Sequence, residues 1–197
     1  GCVLADWGAD VVKIEPPGIG DPSRTFARML GGDLPSNPIF ENDNRGKRSI
    51  VLDLASDAGR GVALELLDRA DVFVTNVRMA GLERLGLDPK RLCERSPRLV
   101  YGAISGYGFA GPDADRAANR AGAGHRPAYD IAAFWARSGI AAALTSPGHH
   151  PPFQRGGMGD HNAGLALAGG VAAALFQRER SGKGQLVTTS LLREGLY

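Results

Sequence analysis

The sequence predicts an α/β fold in which a parallel sheet is flanked by helices. Two observations carry this. Five short runs rich in β-branched residues recur along the chain, and segments with helical periodicity lie between them. Strands that alternate with helices pair in parallel through βαβ crossovers. The chain has 197 residues, of which 43% are hydrophobic and 22% charged. That length suits one domain, and the composition is that of a globular chain able to bury a core.

The elements follow in order. Gly1 to Gly8 reads as the tail of a helix closed by a C-terminal glycine. Ala9 to Glu15 is a β-rich run that Pro16-Pro17-Gly18 stops, so a strand and a turn are expected. Residues 19 to 44 are rich in Gly, Pro, Asn and Asp and read as irregular. Arg48 to Asp53 is a second strand, and Ser56 to Arg69 carries Val62, Leu64, Leu66 and Leu67 at helical spacing. Asp71 to Asn76 is a third strand, followed by short helical pieces at Ala80 to Leu85 and Asp88 to Arg95. Arg98 to Ile104 is a fourth strand, and Gly106 to Pro127 is a long polar loop of the sort that often carries function. Tyr129 to Leu144 reads as one helix, His149 to Gly159 as a loop, and His161 to Arg180 as a long Ala/Gly/Leu helix. Gln185 to Ser190 is the last strand.

Composition removes several function classes. A net charge of +2 gives no basic face for nucleic acid. Cys2 and Cys93 are too few and too far apart for a disulfide framework, so a reducing, cytoplasmic setting is the simplest reading. No apolar run reaches membrane-spanning length. No Gly-x-Gly-x-x-Gly fingerprint, Gly-x-Ser-x-Gly elbow or helical zinc-protease histidine spacing occurs. His149-His150 and the remaining histidines, His125 and His161, read as loop or surface residues rather than metal ligands. Gly182-Lys183-Gly184-Gln185 lacks phosphate-loop spacing and reads as a helix-to-strand turn.

The strongest local signal is Gly156-Gly157-Met158-Gly159-Asp160 ahead of the long helix. Asp160 there is either a plain helix cap or a carboxylate kept ionised by the helix dipole and usable as a nucleophile. The flanking glycines would admit a bulky thioester and offer N–H groups to an oxyanion. Arg78 and Arg84 follow the third strand, where open α/β sheets bind ligands, and arginine suits phosphate. Solvated charge is the competing reading for both, as it is for Lys47-Arg48.

Six motifs in order resemble the class III coenzyme-A transferases, a family that includes formyl-CoA and carnitine CoA transferases and the related α-methylacyl-CoA racemases. They are Leu4 to Gly18, Asn44 to Asp53, Asp71 to Gly86, Ile104 to Gly108 with Gly111-Pro112, Gly159-Asp160, and Gly182 to Gln185. The resemblance implies a Rossmann-like parallel sheet flanked by helices, the large domain of such an enzyme. It implies that Asp160 is the catalytic carboxylate. Leu52, Asn76, Val77 and Arg84 then fall where the family contacts coenzyme A (CoA), and Tyr129, Asp130, Gly157 and Gly159 fall beside the active site. Coenzyme A is expected as a substrate, with no permanently bound cofactor and no metal; the other partners are an acyl-CoA donor, an acceptor acid and a second copy in an interlocked homodimer. Nucleic acid and membrane are not expected partners.

Several departures bear on the reading. At Pro16 some relatives carry an arginine that helps hold CoA. Racemases of the family place a histidine where this chain has Tyr129, and His125 lies four residues too early, so CoA transfer is favoured over racemisation, with a non-catalytic CoA-binding role as a further alternative. Phe134 to Gly139 resembles relatives that use 2-hydroxy or aryl acids. Ala117 to Arg126 reads as an insertion. The resemblance also leads us to expect an incomplete large domain over residues 1–197, with a first strand before Gly1 and a small domain after Tyr197. Little activity is then expected of these residues alone.

Overall fold

The computed structural model describes residues 1–25, 35–109 and 126–197. The chain divides into two compact units, Gly1–Arg69 and Ala70–Tyr197. His125, Gly111-Pro112, most of the expected long loop and all but the last residue of the expected insertion lie outside the described residues.

In the first unit, α1 (Cys2–Asp6) ends as its sequence predicts. The N–H of Gly8 bonds Ala5 O at 2.9 Å and that of Ala9 bonds Leu4 O at 3.0 Å, the paired closure that a left-handed glycine permits. Strands β1 (Val11–Glu15) and β2 (Lys47–Val51) pair in parallel, with Val11 opposite Lys47 and Glu15 opposite Val51. Between them the expectation of wholly irregular chain over 19 to 44 is corrected. A 3-10 turn spans Pro22–Thr25, and α2 spans Pro38–Asn44. Asn37 caps α2 by accepting from Phe40 N at 3.0 Å, and Pro38 takes the first helical position, where its missing N–H costs nothing. Helix α3 (Asp57–Asp68) starts at Ser56, whose hydroxyl accepts from Gly59 N at 3.0 Å, and it buries Ala63 and Leu67.

In the second unit, β3 (Val72–Thr75), β4 (Val100–Ser105) and β5 (Leu186–Ser190) form a parallel sheet in the order β3-β4-β5. Helices α4 (Met79–Leu85) and α5 (Pro89–Arg95) connect β3 to β4 and bury Leu82 and Leu92. Tyr101 of β4 is fully buried, stands edge-on to Phe73 with ring centroids 5.1 Å apart, and donates its hydroxyl to Leu87 O at 2.8 Å. The single helix expected over 129 to 144 is instead two pieces, a π-helix at Ile131–Ala136 and the short α6 (Ile140–Ala143). They part at Gly139, which has φ +96° and so turns the chain out of helical geometry.

Helix α7 (Met158–Ser181) packs on β4 and β5, and α8 (Leu191–Leu196) follows β5. Arg178, in the last turn of α7, pairs with Asp71 at 2.9 Å and reaches Arg98 O at 3.4 Å. Those partners lie just before β3 and β4, so the C-terminal end of α7 sits at the N-terminal edge of the sheet. Its N-terminal end therefore lies towards the opposite edge, where the strands end. Phe134, Trp135, Ala163 and Leu191 form the core beneath that end.

Candidate active site

The start of α7 differs from expectation in a way that matters. Gly157 is the cap, with φ +77°, and, being a glycine, supplies no side-chain cap. Asp160 is the third helical residue, inside the first turn, so the plain capping reading is corrected. A carboxylate there still lies in the positive end of the helix dipole. The Asp160 side chain is exposed.

Behind Asp160 the packing is tight. Gly159 is buried, and a Cβ at that position would lie 2.5 Å from Phe134 Cβ and 2.9 Å from Asp130 Cβ. The π-helix thus rests directly on the first turn of α7. Asp130 is 8% exposed; its Oδ1 accepts from Ile131 N at 2.8 Å, and its Oδ2 has no hydrogen-bond partner among the described residues. Tyr129 beside it is 83% exposed. Trp135 Nε1 donates to Pro152 O at 3.1 Å and ties the approach to Gly157 onto the same π-helix. Gln154, on that approach, is buried, and its Oε1 also lacks a partner among the described residues.

The structure therefore gathers Tyr129, Asp130, Gly157, Gly159 and Asp160 around one helix start. Asn76 and Val77 are exposed directly after β3, with Val77 N bonded to Thr75 Oγ1 at 3.1 Å, and Arg84 is exposed in the last turn of α4. Asn76 and Val77, directly after β3, stand at the C-terminal edge of the sheet. Leu52 belongs to the first unit, half-buried, its N–H donating to Glu15 O at 3.0 Å. His149 and His150 are exposed, and no cluster of potential metal ligands occurs among the described residues. Gly182 to Gln185 is a helix-to-strand turn, Gly182 closing α7 at φ +71°.

Sequence reasoning missed Phe134 as the wall behind Gly159, because nothing in the local pattern announces a π-helix. It also missed α2, although Asn37-Pro38 is a recognisable cap and first-turn pair.

The fold and the site are thus a parallel α/β sheet and a glycine-flanked aspartate in the first turn of α7. The whole chain, residues 1–197, matches CoA-transferase family III, and the protein belongs to that family. The chain is 40% identical to the cinnamoyl-CoA:phenyllactate CoA-transferase of Clostridium sporogenes, over 100% of its own length and 46% of that protein's. It is 38% identical to the (R)-2-hydroxy-4-methylpentanoate CoA-transferase of Clostridioides difficile, over 99% of this chain and 47% of that one. Among solved structures, Rv3272 of Mycobacterium tuberculosis superposes with a TM-score of 0.83 at 34% identity, covering 98% of this chain and 51% of that one. A CAIB/BAIF family protein from Brucella suis gives 0.84 at 33% identity, covering 98% and 48%. The chain thus spans about half the length of the relatives it matches. No helix among the described residues is long and apolar enough to cross a membrane.

Proposed function

We propose that the complete protein transfers coenzyme A from an acyl-CoA to a carboxylic acid, with Asp160 as the nucleophile. The observation that carries this reading is Asp160 in the first turn of α7, backed by Gly159 and preceded by the left-handed Gly157, in a chain of CoA-transferase family III.

The chemistry balances as four exchanges at one carboxylate. An Asp160 oxygen attacks the thioester carbonyl, the C–S bond breaks, and CoA leaves as thiolate from a mixed anhydride. The thiolate attacks the Asp160 carbonyl of that anhydride, releasing the donor acid as carboxylate and leaving an aspartyl thioester. The acceptor carboxylate attacks this thioester, expelling the thiolate and forming a second anhydride. The thiolate then attacks the acceptor's carbonyl, giving the new acyl-CoA and free Asp160. Negative charge collects on an acyl oxygen at each step. Backbone N–H groups at the start of α7 are donors of the right kind for it. The anhydride is hydrolysable, so the reaction needs the exposed helix start covered while it runs.

Leu52, Asn76, Val77 and Arg84 hold coenzyme A in this reading, with Arg84 suited to a phosphate, and Tyr129 and Asp130 face the acyl group. The acceptor class we propose is a 2-hydroxy acid with a bulky apolar side chain. The relatives at 40% and 38% identity are transferases named for phenyllactate and 2-hydroxy-4-methylpentanoate, and Tyr129, Phe153 and Met158 are exposed apolar side chains close in the chain to the site. An interlocked homodimer is the proposed assembly.

The test is to incubate the complete protein with acyl-CoA, trap with hydroxylamine, and map the modified peptide by mass spectrometry. A hydroxamate at Asp160 is expected. Undiminished transfer by Asp160→Ala would end the proposal.

A further inference from the structure

The first unit contains a side-chain network that the proposed reaction does not use. Its centre is Glu15, the last residue of β1 and only 3% exposed. Arg24 approaches it with both arms of the guanidinium, Nε to Oε2 and Nη2 to Oε1, each at 2.8 Å. The Asp21 N–H donates to Oε2 at 2.9 Å, and the Ser49 hydroxyl, across the β1–β2 pair, donates to Oε1 at 2.9 Å. The carboxylate therefore accepts four hydrogen bonds, two of them from the charged guanidinium. Its own backbone carbonyl accepts from Leu52 N at 3.0 Å.

A second ring of contacts ties the network to α2. Asn37 Nδ2 donates to Ser23 O at 2.7 Å and to Arg24 O at 3.0 Å while its oxygen caps the helix. Phe40 packs beneath the Arg24 guanidinium at 4.1 Å and the Lys13 ammonium at 4.9 Å. Lys13 in turn pairs with Asp21 and donates to Asn44 Oδ1 at 2.9 Å. Glu15 of β1 thus bonds the 21–25 turn, Ser49 of β2 and Leu52 just after β2, and α2 joins the network through Arg24 and Lys13.

The place matters as much as the bonding. Glu15 and Val51 are opposed at the C-terminal ends of parallel strands, the edge at which open α/β sheets bind ligands. A buried, fully satisfied carboxylate at that edge makes the loops around it rigid, and rigidity before binding raises affinity by reducing what must be ordered on binding.

We propose that Glu15 is a positioning residue for coenzyme A. It fixes the 21–25 turn and the Leu52 stretch in the conformation that receives the coenzyme, without touching the reacting atoms. The inference rests on the reading that Leu52 lies at the CoA site.

The experiment compares the complete wild-type protein with Glu15→Gln, which is nearly isosteric and leaves the half-exposed Arg24 free to turn into water. CoA affinity is measured by calorimetry, and kcat and KM are measured for the acyl-CoA and for the acceptor acid. Glu15→Gln is expected to weaken CoA binding about tenfold and to raise KM for the acyl-CoA by a similar factor, with kcat and the acceptor KM within about twofold of wild type. Arg24→Lys, which keeps the charge and loses the two-armed geometry, is expected to give the same split at smaller size. Unchanged CoA affinity in a folded Glu15→Gln protein overturns the proposal, and so does an equal loss for both substrates. If Glu15→Gln does not fold, the same two criteria apply to Arg24→Lys. A wild-type protein that forms no Asp160 adduct but binds CoA sinks the transferase reading and leaves this one standing; a wild type that does not bind CoA at all sinks both.

Discussion

Gly159 lies so close to Phe134 that a Cβ on the glycine would stand 2.5 Å from the Phe134 Cβ. The nearest atoms belong to the stem of a buried ring, which cannot swing aside as the end of a long chain would. Gly159→Ala is therefore expected to push the first turn of α7 off the π-helix. We expect a loss of about 1–3 kcal/mol in stability from the overpacking. Asp160 is the next residue, so Asp160 adduct formation should fall by about 10²-fold from misplacement alone. Denaturant unfolding and the hydroxylamine trap read the two effects separately.

Asp160→Asn separates chemistry from structure. The side chain is exposed and lies within the first helical turn, where losing its charge removes a favourable dipole interaction of about 0.3–1 kcal/mol. The amide is no nucleophile, and transfer should fall by at least about 10³-fold. Near-native melting with no trapped adduct is the expected pair of results. A large loss of stability would mean that Asp160 is chiefly structural.

The Glu15 network predicts an acid-dependent stability. The Arg24 guanidinium, helped by the Asp21 N–H and the Ser49 hydroxyl, holds the Glu15 carboxyl at about 2, below its ordinary 4.5, against the opposing effect of burial. The folded protein thus gives up this proton more readily than the unfolded chain. The resulting stabilisation is whole above pH 4.5 and is lost as the pH falls towards about 2. Unfolding midpoints of wild type and Glu15→Gln should differ most above pH 4.5 and converge near pH 2. Parallel curves through that window would show that Glu15 is not charged and paired as described.

The alternation of strands and helices was legible because each strand is a short β-branched run bounded by turn residues, and such local signals survive without tertiary context. Asp160 was legible because the glycines around it are unusual ahead of a long helix. Its position as third residue rather than cap was not, since the two placements differ by less than one turn and Gly157 takes the left-handed conformation that decides between them. The π-helix was hidden for a different reason. Ile131 to Ala136 has ordinary helical composition, and the wider turn goes with packing against Gly159 and with the break at Gly139, both of which depend on residues remote in sequence or on backbone angle. Glu15 was equally silent, since its role depends on Arg24, Ser49 and Asp21 converging on one carboxylate.

Arg178 offers a test of how α7 is held independently of its chemistry. The side chain is only 10% exposed, whereas Asp71, its ion-pair partner, is 75% exposed. The two halves of the pair should therefore respond unequally. Asp71→Asn removes a carboxylate already largely in water, and Arg178 keeps its contacts at 3.5 Å to Asp71 O and 3.4 Å to Arg98 O, so a cost of about 0–1 kcal/mol is expected. Arg178→Met removes the charge and leaves both carbonyls without that donor, so about 1–3 kcal/mol is expected. Asp160 lies eighteen positions earlier on the same helix, about 27 Å away at the helical rise. Well below the melting temperature, both variants should form the Asp160 adduct at close to the wild-type rate. If Asp71→Asn proves the more damaging, the desolvated guanidinium depends on that carboxylate far more than its exposure implies. A slowed adduct in a well-folded Arg178→Met protein would mean that the clamp at one edge of the sheet sets the geometry at the other.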